Sequence, residues 1–425
     1  MCGETIDYNS VEADFPHMLT GNPFAKNGLS GPLAGINVLE ISHILSGPFC
    51  TMLLADLGAN VIKVERPNLG DEARRLGPQV DTDSAYFMSV NRGKKSLTID
   101  LSQREGQRLA GELCKRVDVL VENFVPGTMQ RLGLEYERVN ALNPRLVYAS
   151  ISGFGQNGPY AHYPALDVIV QAMGGMMSLT GEPNGRPLRP GASLGDSVAG
   201  LFAALAIVVA LLEREHTGKG RYIDISMLDC QVTIMENAFS RYFATGKVPG
   251  PLGSRHPAAV PFQSFETRDG HIVVALISDR VEPWNRFCTA IGHPDLASDP
   301  RFSDAQARVR NYAALVPLIE EAIRKKTSRE WLDEFSRLEI PCGPVNTIDA
   351  VAKDPQVLHR HMITEIPHRS LGKWRVANTP FKFDDASSHP QGPSPNLGEH
   401  TNEVLQEMLG YASNEIARLR SLGVV

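Results

Sequence analysis

Asp196 is a lone carboxylate at the point where a Pro- and Gly-rich loop meets a long apolar segment. The loop, residues 186–195, reads R-P-L-R-P-G-A-S-L-G, and residues 198–212 are all apolar or glycine. A carboxylate where a helix begins is either an N-cap, which accepts hydrogen bonds from free backbone N–H groups, or a reactive group. The helix dipole favours an ionised carboxylate at this end, and a nucleophilic carboxylate must be ionised. Local sequence favours the cap, because such caps are common, and leaves the nucleophile open.

The motifs of several common enzyme classes are missing from the sequence. There is no Ser nucleophile elbow, no H-E-x-x-H and no P-loop, and the first strand-to-helix turn lacks G-x-G-x-x-G, which disfavours a nicotinamide enzyme. What remains is a set of loops that follow predicted strands, where ligands bind in open α/β sheets. These positions are 43–48, Arg66, 123–131, 154–167 and 191–196.

The elements that must position these loops alternate between strand and helix. Residues 36–41 and 60–65 are predicted strands with a helix over 49–57 between them, and such a unit implies a parallel sheet with a right-handed crossover. The alternation continues along the chain, so the predicted fold class is α/β. The further predicted elements are helix 105–116, helical turns 130–142, helix 165–174, and strands 118–122, 146–151 and 221–226.

The pattern changes after about residue 226. Residues 260–267 and 271–277 flank the turn R-D-G and predict an antiparallel hairpin, and three helices follow it. We expect a large Rossmann-like parallel-sheet domain with a smaller inserted α+β domain. The predicted segments are an N-terminal extension (1–31), the first part of the large domain (32–225), the small domain (226–325) and a return to the large domain (326–425).

Composition argues against several kinds of partner and location. The formal net charge is −6 and no basic run is present, which argues against nucleic acid. The six cysteines are scattered without C-x-x-C or metal-ligand spacing, which is typical of reduced thiols in a cytoplasmic protein and predicts no metal site. The first 30 residues are acidic and have no apolar core, unlike a signal or transit peptide. Residues 198–212 are too few for a membrane span and predict a buried helix.

Stretches that follow one another along the chain resemble a single enzyme family. They read V-L-E-I-S-H-I-L-S-G-P, L-G-A-N-V-I-K-V-E-R-P, V-E-N-F-V-P-G-T-M-Q-R-L-G, S-L-G-D-S, and I-P-C-G-P-V followed by L-G-E-H-T. From about residue 32 to the C-terminus, this series resembles the class III CoA-transferases, the superfamily of formyl-CoA transferase and carnitine CoA-transferase. The resemblance implies a coenzyme A thioester and a small carboxylic acid as substrates, with no tightly bound cofactor.

The resemblance also implies a mechanism. The aspartate of the family motif that matches L-G-D-S is the covalent nucleophile, which maps onto Asp196. Its carboxylate would attack an acyl-CoA to give a mixed anhydride and CoA thiolate. The thiolate would then form an aspartyl-CoA thioester and release the donor acid, and the acceptor acid would reverse both steps.

Family contacts to CoA map onto a set of loop residues. Arg66 and Arg131 suit phosphate groups, although an exposed Arg66 and an Arg131 paired with Glu135 are the plain alternatives. Asp167 matches an acidic residue near the substrate and could equally be a cap. The residues implied to contact CoA are Ile44, Arg66, Asn123, Phe124, Thr128, Arg131 and Leu132.

Departures from formyl-CoA transferase bear on the substrate. Its tetraglycine loop has no counterpart in residues 253–265, its first-turn Gln is Leu45, and its substrate-side Tyr is Leu166, so formyl-CoA and oxalate are disfavoured. The pattern looks more like the branch that transfers CoA from succinyl-CoA to glutarate, malate, itaconate or citramalate. Arg189, Arg255 or His256 could bind the distal carboxylate, with surface roles as the alternative. The full set of predicted substrate contacts is His43, Leu45, Asp167, Arg189, Arg255 and His256.

Two alternative functions remain open beside CoA transfer, and the resemblance also implies an oligomeric state. α-Methylacyl-CoA racemases carry a His before the acid that aligns with Asp167, and Leu166 occupies that position here. A CoA-binding but silent subunit, active only with a paralogue, is the second alternative. The family further implies an interlocked homodimer in which each chain threads through the other.

Overall fold

The computed structural model describes residues 31–81, 83–277, 281–383 and 389–425, and the predicted extension, residues 1–31, lies almost entirely outside them. The strands are β1 (Asn37–Ile41), β2 (Asn60–Glu65), β3 (Gln79–Val80), β4 (Asp83–Ser84), β5 (Lys95–Thr98), β6 (Val119–Glu122), β7 (Val147–Ser152), β8 (Tyr222–Ser226), β9 (Phe262–Glu266), β10 (His271–Ala275), β11 (Cys342–Pro344), β12 (Ile363–His368) and β13 (Gly372–Ala377). The helices of the first half are α1 (Ser46–Asp56), α2 (Ala85–Asn91), α3 (Arg104–Cys114), α4 (Thr128–Arg131), α5 (Tyr136–Leu142), α6 (Asp167–Met173), α7 (Met176–Leu179) and α8 (Leu194–Thr217). Those of the second half are α9 (Met227–Ile234), α10 (Glu236–Thr245), α11 (Val281–Ala290), α12 (Ala305–Arg310), α13 (Tyr312–Ile323), α14 (Ser328–Arg337), α15 (Ile348–Val351), α16 (Pro355–His359), α17 (Thr401–Leu409) and α18 (Ser413–Ser421).

A parallel sheet with the strand order β5-β2-β1-β6-β7-β8 forms the centre of the described chain. Every neighbouring pair in it is parallel. The central strands are buried on both faces, so their sequences are nearly continuous apolar runs rather than alternating ones. The predicted α/β class with a large Rossmann-like sheet is confirmed.

Helices cover both faces of this sheet. On one face, Leu109 of α3 and Val139 of α5 pack with Val404 and Ile416 of the two C-terminal helices. The two C-terminal helices therefore pack on the large sheet, and we propose that residues 401–421 belong to the large domain. The other face is covered by α1, α8 and α9, which bury their side chains against β1, β6 and β7.

Helix α8 is longer and less buried than the sequence predicts. It spans Leu194–Thr217 and, with a mean hydropathy of 2.2, is long and apolar enough to cross a membrane by length and composition. One face of α8 packs against α1 and the central sheet, so α8 is not surrounded by lipid on all sides. The helix predicted over residues 198–212 is therefore buried on this face, and its opposite face is exposed at Leu201, Leu205, Val209 and Leu212.

A second core surrounds the small antiparallel sheet β11-β10-β9. The hairpin β9–β10 is confirmed, with Phe265 paired to Ile272. Trp331 and Phe335 of α14 belong to this core, whereas Met227 and Cys230 of α9 pack with the large sheet. The predicted limits of 226 and 325 differ from this packing, because α14 and β11 complete the small core. We propose that the small domain ends near residue 344 instead.

Candidate active site

The centre of the large sheet creates a crevice. β1 lies between β2 and β6, and the chain leaves β1 toward β2 on one side and reaches β6 later on the other. In open parallel sheets, ligands bind beyond the carboxyl ends of the strands at such a switch point. His43 follows β1, Arg66 follows β2 and Asn123 follows β6, so the topology brings three predicted contacts to this edge.

Two connected cavities occupy the crevice. The first, of about 490 Å³, has Arg66, Ser102 and Leu132 among its lining residues. The second, of about 90 Å³, is lined by residues that include Ile44 and Asp196. His43 and Phe124 line both, and their ring centroids are 5.2 Å apart. The two cavities share this wall, and together they form a groove that extends from Arg66 to Asp196.

Asp196 is not the cap of its helix. α8 begins at Leu194, its N-cap residue is Ser193, and Asp196 lies within the first turn. The Oδ1 atom of Asp167 accepts the backbone N–H of Gly195 at 2.8 Å and that of Asp196 at 3.4 Å. Asp167 therefore satisfies free donors of α8 from outside the helix, and the carboxylate of Asp196 is left for other chemistry.

The surroundings of Asp196 favour its protonated form more than the sequence predicts. Burial, followed by the negative charge of Asp167, raises the pKa of Asp196 to about 7, against the opposing effects of Ser46 and Arg189. The favourable effect of the helix N-terminus on the ionised form is therefore opposed here by burial and by Asp167. Desolvation and a like charge act in the same direction here.

Ser46 is a neighbour of Asp196 that sequence reasoning missed. Ser46 lines the same cavity, and its hydroxyl lies close enough to the Asp196 carboxylate to lower the pKa of Asp196. The Nδ2 atom of Asn123 donates to Ser46 Oγ at 3.1 Å, so the serine oxygen accepts there and its proton is available to Asp196. The close approach depends on Gly200, where an added Cβ would lie 2.7 Å from the Ser46 carbonyl oxygen.

Tyr86, at the start of α2, is a second residue that sequence reasoning missed. Burial, together with the charges of Asp196, Asp167 and Asp71, raises the pKa of Tyr86 to about 12. Its hydroxyl thus remains a neutral donor near the carboxylates. In the sequence Tyr86 follows a short polar turn, and this position does not reveal that the tyrosine lies near Asp196, Asp167 and Asp71.

The predicted CoA contacts divide between the groove and its margin. Arg66 is exposed at the first cavity, where it pairs with Glu72. Thr128 and Arg131 line neither cavity among the described residues. The Nη2 atom of Arg131 donates to Thr128 Oγ1 at 2.8 Å on the short helix α4. The predicted CoA contacts that do line the groove are Ile44, Arg66, Asn123, Phe124 and Leu132, and the predicted substrate contacts His43 and Leu45 line it as well.

The predicted substrate-side charges lie in different places. Arg189 Nη2 is 2.8 Å from Asp167 Oδ2 and 3.0 Å from Ser193 Oγ, so it braces the start of α8. Arg255 lies over the ring of Tyr312, 4.4 Å from its centroid. His256 stacks on Phe262 at 4.7 Å. None of these three lines either cavity in the described chain.

No cluster of three or more His, Cys, Asp or Glu side chains able to hold a metal ion occurs within the described ranges. The lining of the two cavities instead contains one guanidinium, an imidazole, an amide, hydroxyl groups and five carboxylates, which belong to Glu65, Asp71, Glu72, Asp100 and Asp196. Four of the carboxylates lie with Arg66 in the first cavity, and Asp196 is the carboxylate of the second cavity.

Known proteins similar to this chain include several transferases. A succinyl-CoA:glutarate CoA-transferase from Mus musculus is 38% identical over 96% of this chain and 93% of that protein. An acetyl-CoA:oxalate CoA-transferase from Acetobacter aceti is 42% identical over 85% of this chain and 92% of that protein. A CAIB/BAIF family protein from Brucella suis has a crystal structure that aligns with a TM-score of 0.80 and 39% identity, covering 89% of this chain and all of that one.

The family model of CoA-transferase family III matches residues 33–401, which includes both cavities and Asp196. The relatives named for CoA transfer cover nearly the whole chain. The chain therefore belongs to CoA-transferase family III and is a class III CoA-transferase.

Proposed function

We propose that this enzyme transfers CoA from succinyl-CoA to a second dicarboxylic acid, with Asp196 as the nucleophile. The observation that carries the proposal is the groove formed by the two cavities, which share His43 and Phe124 as a wall and lead from Arg66 to Asp196. Its two parts could hold the two ends of an acyl-CoA, with the Asp196 carboxylate at the end that would receive the thioester.

CoA would lie along this groove in one direction. Its phosphate end would lie in the first cavity near Arg66, whose guanidinium is half exposed and, within the part of the chain that the structure describes, is paired with Glu72 alone. The pantetheine arm would pass His43 and Phe124 and bring the thioester into the second cavity. Binding energy from the distant nucleotide would hold the thioester near Asp196.

The reaction would proceed in four balanced steps. An Asp196 carboxylate oxygen attacks the acyl carbonyl carbon, the carbon–sulfur bond breaks, and a mixed anhydride and CoA thiolate result. The thiolate attacks the Asp196 carbonyl carbon, expels the donor acid as a carboxylate and leaves an aspartyl-CoA thioester. The acceptor carboxylate attacks this thioester to form a new anhydride and thiolate, and the thiolate then attacks the acceptor's acyl carbon and regenerates Asp196.

The second cavity favours an acceptor with methylene groups. Its walls include Leu45, Ala165, Leu166 and Met227, which suit an aliphatic chain of the kind found in glutarate. The similarity to a succinyl-CoA:glutarate CoA-transferase points the same way. Oxalate is the second candidate, because the relative named for it is 42% identical. Oxalate has no methylene group, so the apolar walls favour the longer acids.

A homodimer is part of the proposal. The exposed leucines and valine of α8 form an apolar surface of the kind that proteins usually cover with a partner. A second copy of this chain, interlocked as the family resemblance implies, would cover it. The scattered cysteines support a reducing compartment, and we propose the cytoplasm.

Trapping of the intermediate tests the proposed function. The enzyme is incubated with succinyl-CoA and then with hydroxylamine, and the peptide that contains Asp196 is analysed by mass. We expect a hydroxamate at Asp196 and loss of activity. When hydroxylamine is added without succinyl-CoA, we expect the activity to be retained, because no activated aspartyl group has formed. Parallel incubations with glutarate, malate, itaconate and oxalate would identify the acceptor from the new CoA ester. If the enzyme exchanged a hydrogen at the α-carbon of an acyl-CoA but transferred no CoA to any added carboxylic acid, the result would contradict the proposal and favour a racemase.

Activity that appears only on adding a paralogous chain would contradict a self-sufficient enzyme. In that case, the protein would be the CoA-binding subunit of a heteromer. The mass of the purified protein in solution separates a homodimer from a single chain.

A further inference from the structure

Ile44 has a backbone conformation that β-branched residues rarely adopt. Its φ is +63°, in the left-handed region where the Cβ of an L-residue meets the following carbonyl group. Ile44 lies in the loop between β1 and α1 and lines the second cavity, while its neighbour His43 lines both cavities. Strain of this kind persists only where the surrounding structure enforces it, and it concentrates at ligand sites.

Two side chains hold the backbone of this loop. Asp71 Oδ1 accepts the N–H of Ile44 at 3.1 Å. The side-chain amide of Asn123 pairs with His43 in both directions, accepting from its N–H at 2.9 Å and donating to its carbonyl oxygen at 2.8 Å. The bond to Asp71 acts on the strained residue itself, and a charged acceptor makes it stronger than a bond to a neutral group.

Asp71 is fixed in turn by a buried ion network. Lys63 Nζ lies 2.9 Å from Asp71 Oδ2 and 2.7 Å from Glu40 Oε1, and Lys94 Nζ lies 2.8 Å from Glu40 Oε2. The four side chains are at most 1% exposed. A buried ion pair adds little stability compared with well-packed apolar residues. Stability alone therefore does not account for charges at this position.

We propose that Asp71 is a positioning residue for CoA binding, which keeps Ile44 in its left-handed conformation and so fixes the wall that joins the two cavities. The inference rests on the proposed function, since it is there that the groove is assigned to CoA. Without the acceptor, Ile44 would relax toward an extended conformation. The neighbouring residues His43 and Leu45 would then move, and the walls that they form in the two cavities would change shape.

A matched pair of double variants isolates the hydrogen bond from the ion pair. Lys63→Met/Asp71→Ala removes one buried charge of each sign and the oxygen that accepts the backbone N–H groups of both Ile44 and Ala73. Lys63→Met/Asp71→Asn removes the same charges and keeps an amide oxygen for Ile44. We expect the dissociation constant of free CoA, measured by calorimetry, to be about tenfold higher in the alanine variant.

Glycine at position 44 then tests the cause of this difference. Glycine adopts positive φ without strain, so adding Ile44→Gly to both double variants should reduce the ratio of their dissociation constants to less than about twofold. Equal constants for the original pair would contradict the inference. So would a difference that survives Ile44→Gly, because Asp71 would then act by another route.

A stability comparison in the native network covers the case in which the double variants do not fold. Ile44→Ala and Ile44→Gly remove the same packing except for Cβ, and Cβ is the source of the strain. We expect the glycine variant to have the higher Tm, which reverses the usual order of these residues. A higher Tm for Ile44→Ala would contradict the inference. Failure of the unaltered enzyme to bind CoA would instead contradict the proposed function, and the Tm order would still decide whether Ile44 is strained.

Discussion

Asp167 and Asp196 share the first turn of α8 in different roles. Asp167 Oδ1 accepts the N–H of Gly195 at 2.8 Å and is 3.4 Å from the backbone nitrogen of Asp196. Its other oxygen binds Arg189 and the side-chain amide of Gln171, both at 2.8 Å. The capping carboxylate is thus fully engaged, whereas the Asp196 side chain faces the groove. The negative charge of Asp167 also opposes ionisation of Asp196 and so raises the pKa of Asp196.

The first prediction concerns the pH dependence of the transfer reaction. Because the pKa of Asp196 is raised to about 7, the carboxylate is protonated and unreactive below that pH, and kcat/KM should rise as the pH increases through it. Asp167→Asn keeps a capping oxygen but removes the like charge, so this rise should move to lower pH. Rates measured from pH 5 to 9 check the shift. Asp349→Asn, which changes an exposed residue on α15, is the control and should leave the profile in place.

Ser46→Ala should move the same profile in the opposite direction. The Ser46 hydroxyl lowers the pKa of Asp196 by hydrogen bonding to its ionised form, so its removal raises that pKa. We expect kcat/KM to fall most at acidic pH and to recover at alkaline pH. Ser421→Ala, at the end of α18, should leave the profile unchanged. A uniform loss of activity at every pH would show that Ser46 acts only through packing.

Much of the large domain can be predicted from local pattern. The strand predicted over residues 60–65 is β2 (Asn60–Glu65), because an apolar run flanked by a helix and a turn leaves little alternative. The start of α1 was harder. The S-G-P sequence reads as a turn, but proline is tolerated in the first turn of a helix, and α1 begins at Ser46. The sequence therefore places Ser46 in a loop and does not reveal its position beside Asp196.

The candidate site depends on contacts that local sequence does not encode. Asp167 lies 28 residues before Gly195, and its role as cap follows from the packing of α6 beside α8. The raised pKa of Asp196 likewise follows from burial and from that distant charge. Motif resemblance points to Asp196 as the proposed nucleophile, whereas its protonation behaviour follows only from the three-dimensional arrangement.

The two arginines proposed for the distal carboxylate should respond differently. Arg189 is already paired with Asp167, whereas Arg255 forms no ion pair with any carboxylate in the described chain. Arg255 lines neither cavity, so its role requires the loop to approach the groove in the dimer or on substrate binding. Arg255→Gln should raise the KM of a dicarboxylate acceptor about tenfold or more and leave a monocarboxylate unaffected, because one charged hydrogen bond is lost.

Arg189→Gln serves as the matched variant in this comparison. It should shift the pH profile to higher pH, because Arg189 lowers the pKa of Asp196, and should change the acceptor KM little. Steady-state kinetics with glutarate and acetate separate the two outcomes. A large acceptor effect from Arg189→Gln with none from Arg255→Gln would reverse the assignment.

Gly200→Ala should destabilise the enzyme, although alanine favours helices. A Cβ at this position would lie 2.7 Å from the Ser46 carbonyl oxygen and 3.0 Å from Phe49 Cδ1, so α1 and α8 would have to move apart. Overpacking of this kind costs about 1–3 kcal/mol.

Gly111→Ala in α3 is the matched control, since the nearest neighbour of its added Cβ would be an ordinary 3.9 Å away. That change should stabilise by roughly 0.5–1 kcal/mol, because glycine loses more backbone entropy in a helix. Urea unfolding measures both, and because the displaced Ser46 would also leave Asp196, only Gly200→Ala should lower kcat. Equal stability of the two variants would show that the helices accommodate a methyl group at their crossing.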